Sequence, residues 1–152
     1  MALTMFPHVV TVYVNTEDLV SFDSSSNITV LRGVLCDAAH AANVKASGLE
    51  NADAVTVYIP FEVEAVDGLT GAPKSYVSPK DFYAAEDKTG LWTLDPAPPT
   101  GVSVFVAKGE VVDPGKDYQW INRTHDDVWR ITSVDTKDFG LADMQHWEVG
   151  GR

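Results

Sequence analysis

The 152-residue chain has one cysteine, Cys36, so no intrachain disulfide can brace it. That absence suits folding in a reducing cytoplasm. Basic residues are scarce as well: 11 lysines and arginines stand against 22 acids, for a formal charge of −11. Surfaces that hold DNA do so with cations that displace counterions, so ordinary nucleic-acid binding is disfavoured, whereas passive contact with passing DNA is not. No apolar run reaches the roughly 18 residues of a membrane helix, and no basic, apolar leader opens the chain. Neither signal-directed secretion nor membrane spanning is expected. Gly-rich phosphate loops, GxSxG elbows and paired-carboxylate motifs are missing, and with them the commonest catalytic signatures.

Hydrophobic residues make up 45% of the chain, enough for a core that needs neither metal nor disulfide. One domain is expected over residues 1–152, with 1–6 as an N-terminal arm and no repeat or linker. The strongest periodic signal is "AVTVYIPFEVEA", residues 54–65, where Val55, Val57, Ile59, Phe61 and Val63 alternate with mostly polar neighbours. That is a strand with one buried face. Pro60 lacks an amide hydrogen and belongs at an edge or a bulge. Further strands are read at Val9–Val14, Ile28–Leu35, Val102–Val112, Val128–Val134 and His146–Val149, with bends at Gly33 and Gly109. "DGLTG" at 67–71 and "DPGKD" at 113–117 have the composition of hairpin turns. Ser78 as N-cap, Pro79 at the first position and Asp81 in a capping box start a helix over Pro79–Glu86, which Gly90 can end. Ala38–Ala46 is a weaker candidate, helix or loop. The expected fold is mainly β, a small antiparallel barrel or sandwich with one short helix.

Three clusters invite a chemical reading. His125-Asp126-Asp127 resembles a metal-ligand pair, but it precedes a strand, and His8, His40 and His146 stand in no ligand spacing to it. A polar turn entering the strand is the better account. Cys36 with His40 suggests a nucleophile and base, yet a lone cysteine in an apolar strand is usually an inert core residue. No catalytic residue, metal ligand or cofactor site is assigned. Of the four tryptophans, Trp129 alternates with Ile131 and reads as core, whereas Trp92 and Trp120 flank loops and are candidate interface residues. Glu62, Glu64 and Asp67 crowd one short stretch and need an open, wet surface.

The segments "MFPHVVTVY", "NITVLRGVLCDA", "ADAVTVYIPFEVEAVDGLTG" and "YVSPKDF", followed by "GLWTL", "KGEVV", "DDVWRITSVDTKDFG" and "MQHWEVGG", cover nearly the whole chain. Together they resemble an uncharacterised family of structural modules encoded by tailed phages and prophages of gut Firmicutes, whose genes lie among head and connector genes. Related chains start where Met5-Phe6-Pro7 stands here, so either Met1 or Met5 is the native start. A looser likeness, carried by Pro7, Val10-Thr11-Val12-Tyr13 and "VWRITSVD", extends to siphophage head-closure proteins, also called stoppers or head-tail joining proteins. The resemblance implies a non-enzymatic β-barrel in the virion neck, folded in the bacterial cytoplasm and forming a homo-oligomeric ring (a hexamer in that family). Its implied neighbours are portal, adaptor and tail proteins, with DNA passing through and no membrane contact. In such a ring Glu62, Glu64 and Asp67 are candidate channel-facing residues, since acids repel phosphate. The chain departs from the pattern in its length and in the helix-bearing stretch Ser78–Thr89, which leaves adaptor-proximal, stopper and tail-proximal positions open. The alternatives are a virion-surface or carbohydrate-binding β module and, less favoured, a metal-dependent hydrolase.

Overall fold

A computed structural model describes residues 6–17, 20, 24–39, 42–45, 48–51 and 54–152. The valine-rich alternation near the start forms β1 (His8–Glu17), which pairs on one side with β2 (Ser24–Ala39) and on the other with β9 (Val102–Lys108). From β9 the ladder continues through β10 (Val128–Lys137), β11 (His146–Gly151) and β5 (Ala54–Pro60), and β5 returns to β2. Six antiparallel strands thus close a barrel, and β6 (Glu64–Asp67) adds a seventh strand on β2. Val10, Val12, Val14, Val57, Ile59, Val104, Val106 and Ile131 fill its interior. The period-two reading of residues 55–59 holds: Val55, Val57 and Ile59 are buried, and Thr56 and Tyr58 between them are half-buried.

The long strand β2 serves two neighbours because it turns a corner at Gly33. Gly33 has φ +87°, a conformation that costs an L side chain strain, and β1 skips it in pairing with Arg32 and Val34. Before the corner, Thr29–Arg32 carries β6; after it, Leu35–Ala39 carries β5. Pro60 is the last residue of β5, where a residue without an N–H does least harm to a ladder. Phe61 lies just beyond the strand end, half-buried, with its ring 4.5 Å from that of Trp147. Beyond Ala39, β3 (Ala42–Lys45) and β4 (Gly48–Asn51) pair with each other in the register of the β2–β5 ladder. This corrects the helix-or-loop expectation for Ala38–Ala46: those described are strand, since strand pairing overrides alanine's intrinsic preference for helix.

The segment between β6 and β9 plugs the barrel. It holds β7 (Ser75–Tyr76), α1 (Pro79–Ala84) and β8 (Leu91–Trp92), the two strands forming a short parallel pair. Ser78 caps α1 by accepting from the Asp81 amide, as its sequence requires, but the helix ends at Ala85 and not at Gly90. Phe82, Trp92 and Leu94 reach the barrel core, and Trp92 packs edge-on against Tyr76 and Trp147 at 5.1 and 5.7 Å. Trp92 is only 2% exposed, so its expected place at an interface is corrected. The loop that flanks it in sequence folds inward, because a large aromatic gains most from full burial.

A second, smaller core lies outside the barrel wall. β9 stops at Lys108 and does not run on to Val112, because Gly109 turns the chain at φ +91°. "DPGKD" is not a hairpin turn: Asp117 accepts from the Trp120 amide and caps α2 (Tyr118–Thr124), a helix the sequence patterns did not reveal. Ile121 of α2 and Val111 cover Tyr13, Ile28, Phe105, Ala107 and Val128. The Tyr13 and Phe105 rings stack at 4.7 Å. The Tyr13 hydroxyl donates to the Val111 carbonyl and accepts from the Asp113 amide, which ties this cover to β1. Both faces of β1 are therefore buried. No helix among the described residues is long and apolar enough to cross a membrane.

Candidate functional site

The corner at Gly33 and the detour between β5 and β6 leave a gap in the wall that forms a groove of about 370 Å³. Apolar residues Phe6, Pro60, Phe61 and Val63 line it, together with Arg32, Glu62, Glu64 and Asp143. Two of the three acids singled out in the sequence, Glu62 and Glu64, therefore meet here. Arg32 on β2 contacts Glu64 at 3.5 Å and Glu110 at 3.2 Å. Glu62 and Asp143 are exposed and have no ion-pair partner among the described residues.

Asp67 is elsewhere and does other work. Its Oδ1 accepts from the Leu69 and Thr70 amides, shaping the "DGLTG" turn, while its Oδ2 lies 3.6 Å from Lys74 Nζ. Burial alone would raise its pKa, but the two amides and the ammonium outweigh it and hold the carboxyl below its ordinary value. Lys74 Nζ is buried and donates to Asn27 Oδ1, the Ile28 carbonyl and Thr29 Oγ1. Burial pulls the Lys74 pKa down, and Asp67 only partly restores it. A carboxylate committed to a buried lysine cannot also serve as a free channel charge, so the channel-facing expectation is corrected at Asp67.

Next to the groove, the β10–β11 connection exposes Phe139, Leu141 and Met144 at 70%, 70% and 62%. Three large apolar side chains on one short connection are unusual on so acidic a chain, and such patches mark protein contacts. Sequence reasoning missed them because "DFGLADMQ" follows neither strand nor helix period. The adjoining strand is open as well. β10 pairs with β9 only from Val128 to Arg130, and from Thr132 to Lys137 the edge facing away from β11 has no backbone partner among the described residues.

The remaining sites hold little chemistry. His125 caps the C-terminus of α2, and its Nε2 lies 3.0 Å from Asp113 Oδ2, tying the helix end to the preceding turn. Asp126 is exposed, and the Asp127 carbonyl accepts from the Lys108 amide. Among the described residues no group of three His, Cys, Asp or Glu could hold a metal ion. Cys36 is a free, buried thiol whose pKa is pushed up by burial; its backbone amide donates to His8 Nδ1, and His40 lies outside the described residues. Trp120 is half-buried beneath the Lys116 ammonium, 5.0 Å from its ring centre, beside a second cavity of about 360 Å³. Trp129 and Trp147 are core residues.

No curated protein and no solved structure matches this chain. A family model described as a family of unknown function, DUF6751, matches residues 5–152, and the chain belongs to that family.

Proposed function

We propose that the chain is a non-enzymatic structural subunit of the neck of a tailed bacteriophage, one copy in a ring that closes the head and joins it to the tail. The observation that carries this is the edge of β10 from Thr132 to Lys137, unpaired among the described residues, followed in the chain by the exposed Phe139, Leu141 and Met144. Unpaired strand edges and apolar tips are liabilities that folded proteins keep when a neighbouring chain covers them. The resemblance to phage structural modules over nearly the whole chain supports the same reading. So does the charge of −11, which lets DNA slide past without sticking. Contacts of this kind between different faces of identical subunits are heterologous, and they form a ring when the rotation from one subunit to the next closes.

The test is genetic. A phage whose copy of this gene is interrupted should make filled heads and separate tails that do not join. Supplying the chain in trans should restore joined particles. Normal, infectious virions without the protein would refute the proposal.

A further inference from the structure

We infer that the groove at the β5–β6 break takes a short basic and apolar segment of a different protein. The inference does not rest on the structural reading above, since neither β10 nor Phe139, Leu141 and Met144 line this groove. Shape comes first. The groove, about 370 Å³, is at the small end of ligand-sized pockets, so it admits a few side chains and not a whole helix or domain. Chemistry comes second. The apolar lining of Phe6, Pro60, Phe61 and Val63 suits leucine or phenylalanine side chains.

Charge identifies the occupant. Of the four charged groups around the groove, Arg32 is already shared between Glu64 and Glu110. Glu62 and Asp143 are left with no counter-charge among the described residues. A lysine or arginine flanking the apolar anchor would meet both, and would do so at an exposed rim, where charge governs partner choice and encounter. A second copy of this chain is the wrong occupant. With 22 acids against 11 bases it has few cations to offer in a head-to-tail contact, and a face-to-face pair would set Glu62 and Asp143 against their own copies. The arrangement is an apolar centre with a polar rim, as at protein–protein interfaces.

The test uses the full-length chain, labelled with ¹⁵N, and two synthetic probes. One is a capped peptide of sequence lysine-leucine-phenylalanine-lysine-leucine; the other carries glutamate in place of each lysine. Titration with the lysine peptide should give saturable amide shifts confined to residues 32–33, 61–64 and 142–145. The glutamate peptide should give none. The double variant Glu62→Lys, Asp143→Lys should keep the wild-type spectrum elsewhere, since both side chains are exposed, and bind the lysine peptide at least five-fold more weakly. Equal binding of the two peptides, shifts centred on Trp120, or no saturable shift would overturn the inference. Shifts at these same amides caused by protein concentration alone would also overturn it, by making a second copy the occupant. None of these results bears on whether the protein is needed to join heads to tails, so the two proposals fail separately.

Discussion

Replacing Lys74 by methionine should unfold this protein far more readily than replacing any surface lysine. The Nζ donates to Asn27 Oδ1, the Ile28 carbonyl and Thr29 Oγ1, at 3.0, 3.2 and 3.0 Å, and it faces Asp67 at 3.6 Å. Methionine fills much the same volume but strands these acceptors. Removing one partner of a buried ion pair costs roughly 3–5 kcal/mol. Asp67 keeps two amide donors, from Leu69 and Thr70, so the lower end applies and about 3 kcal/mol is expected. Urea unfolding followed by tryptophan fluorescence measures it. With an m-value of roughly 2 kcal/mol/M, the midpoint should fall by about 1.5 M. Lys80→Met, on the exposed side of α1, should change stability by less than about 0.5 kcal/mol. The Asp67 carboxyl is held below its ordinary value, so its contribution is present above the unfolded carboxylate range and fades as pH falls through the folded value. In Asp67→Asn the acid sensitivity of Lys74→Met relative to the parent should therefore largely disappear. A loss below about 1 kcal/mol for Lys74→Met would refute the account of this network, because an ammonium satisfied by four groups cannot be that dispensable.

Trp92→Ala should cost about 3–5 kcal/mol by thermal or urea unfolding, as for other fully buried large aromatics; a surface-sized effect would return Trp92 to the interface. Gly33→Ala meets no atom within 4 Å, so its cost is backbone strain alone, roughly 1–2 kcal/mol, with Gly33→Asn less affected; equal stability of all three would mean that β2 does not turn through a left-handed residue. Tyr13, Tyr76 and Tyr83 all have raised pKa values, chiefly from burial. Folding therefore favours the neutral phenols, a contribution that is full below about pH 10 and is lost as pH rises toward the folded values. Absorbance at the phenolate band should show ionisation of these three only with unfolding. His125→Ala should cost about 0.5–2 kcal/mol, and the wild-type protein should carry no stoichiometric metal by elemental analysis; bound zinc or manganese lost in the variant would contradict the capping role.

Alternation was readable where a strand buries one face and is paired on both edges. Residues 55–59 meet both conditions, between β2 and β11, and their inward valines and isoleucine were named from spacing alone. In β1 the inward valines were equally plain, but the burial of Thr11 and Tyr13 was not, because it is imposed by residues about a hundred positions away. Helix α2 escaped notice because seven residues are too few to establish a period, and its Asp117 cap stands inside a stretch that reads as a turn. Trp92 was misplaced for a related reason: flanking loop residues say nothing about where a plug segment enters a barrel. At the groove, Glu62 and Glu64 were visible as an acidic pair, while Arg32, Asp143 and Phe6 join them only through strand register and loop closure. The exposed Phe139, Leu141 and Met144 obey no period at all, so only the fold shows that they are exposed on the connection that follows β10.

The most direct measurement is electron cryomicroscopy of purified virions carrying this chain with a small tag fused at Arg152, which is exposed at the end of the barrel strand β11. A structural neck subunit should appear as a closed ring of tagged barrels at the head–tail junction, with the β10 edge and the Phe139–Met144 connection covered by neighbouring chains. Tagged density at the capsid surface or the tail tip, or particles that lack the protein altogether, would contradict the account.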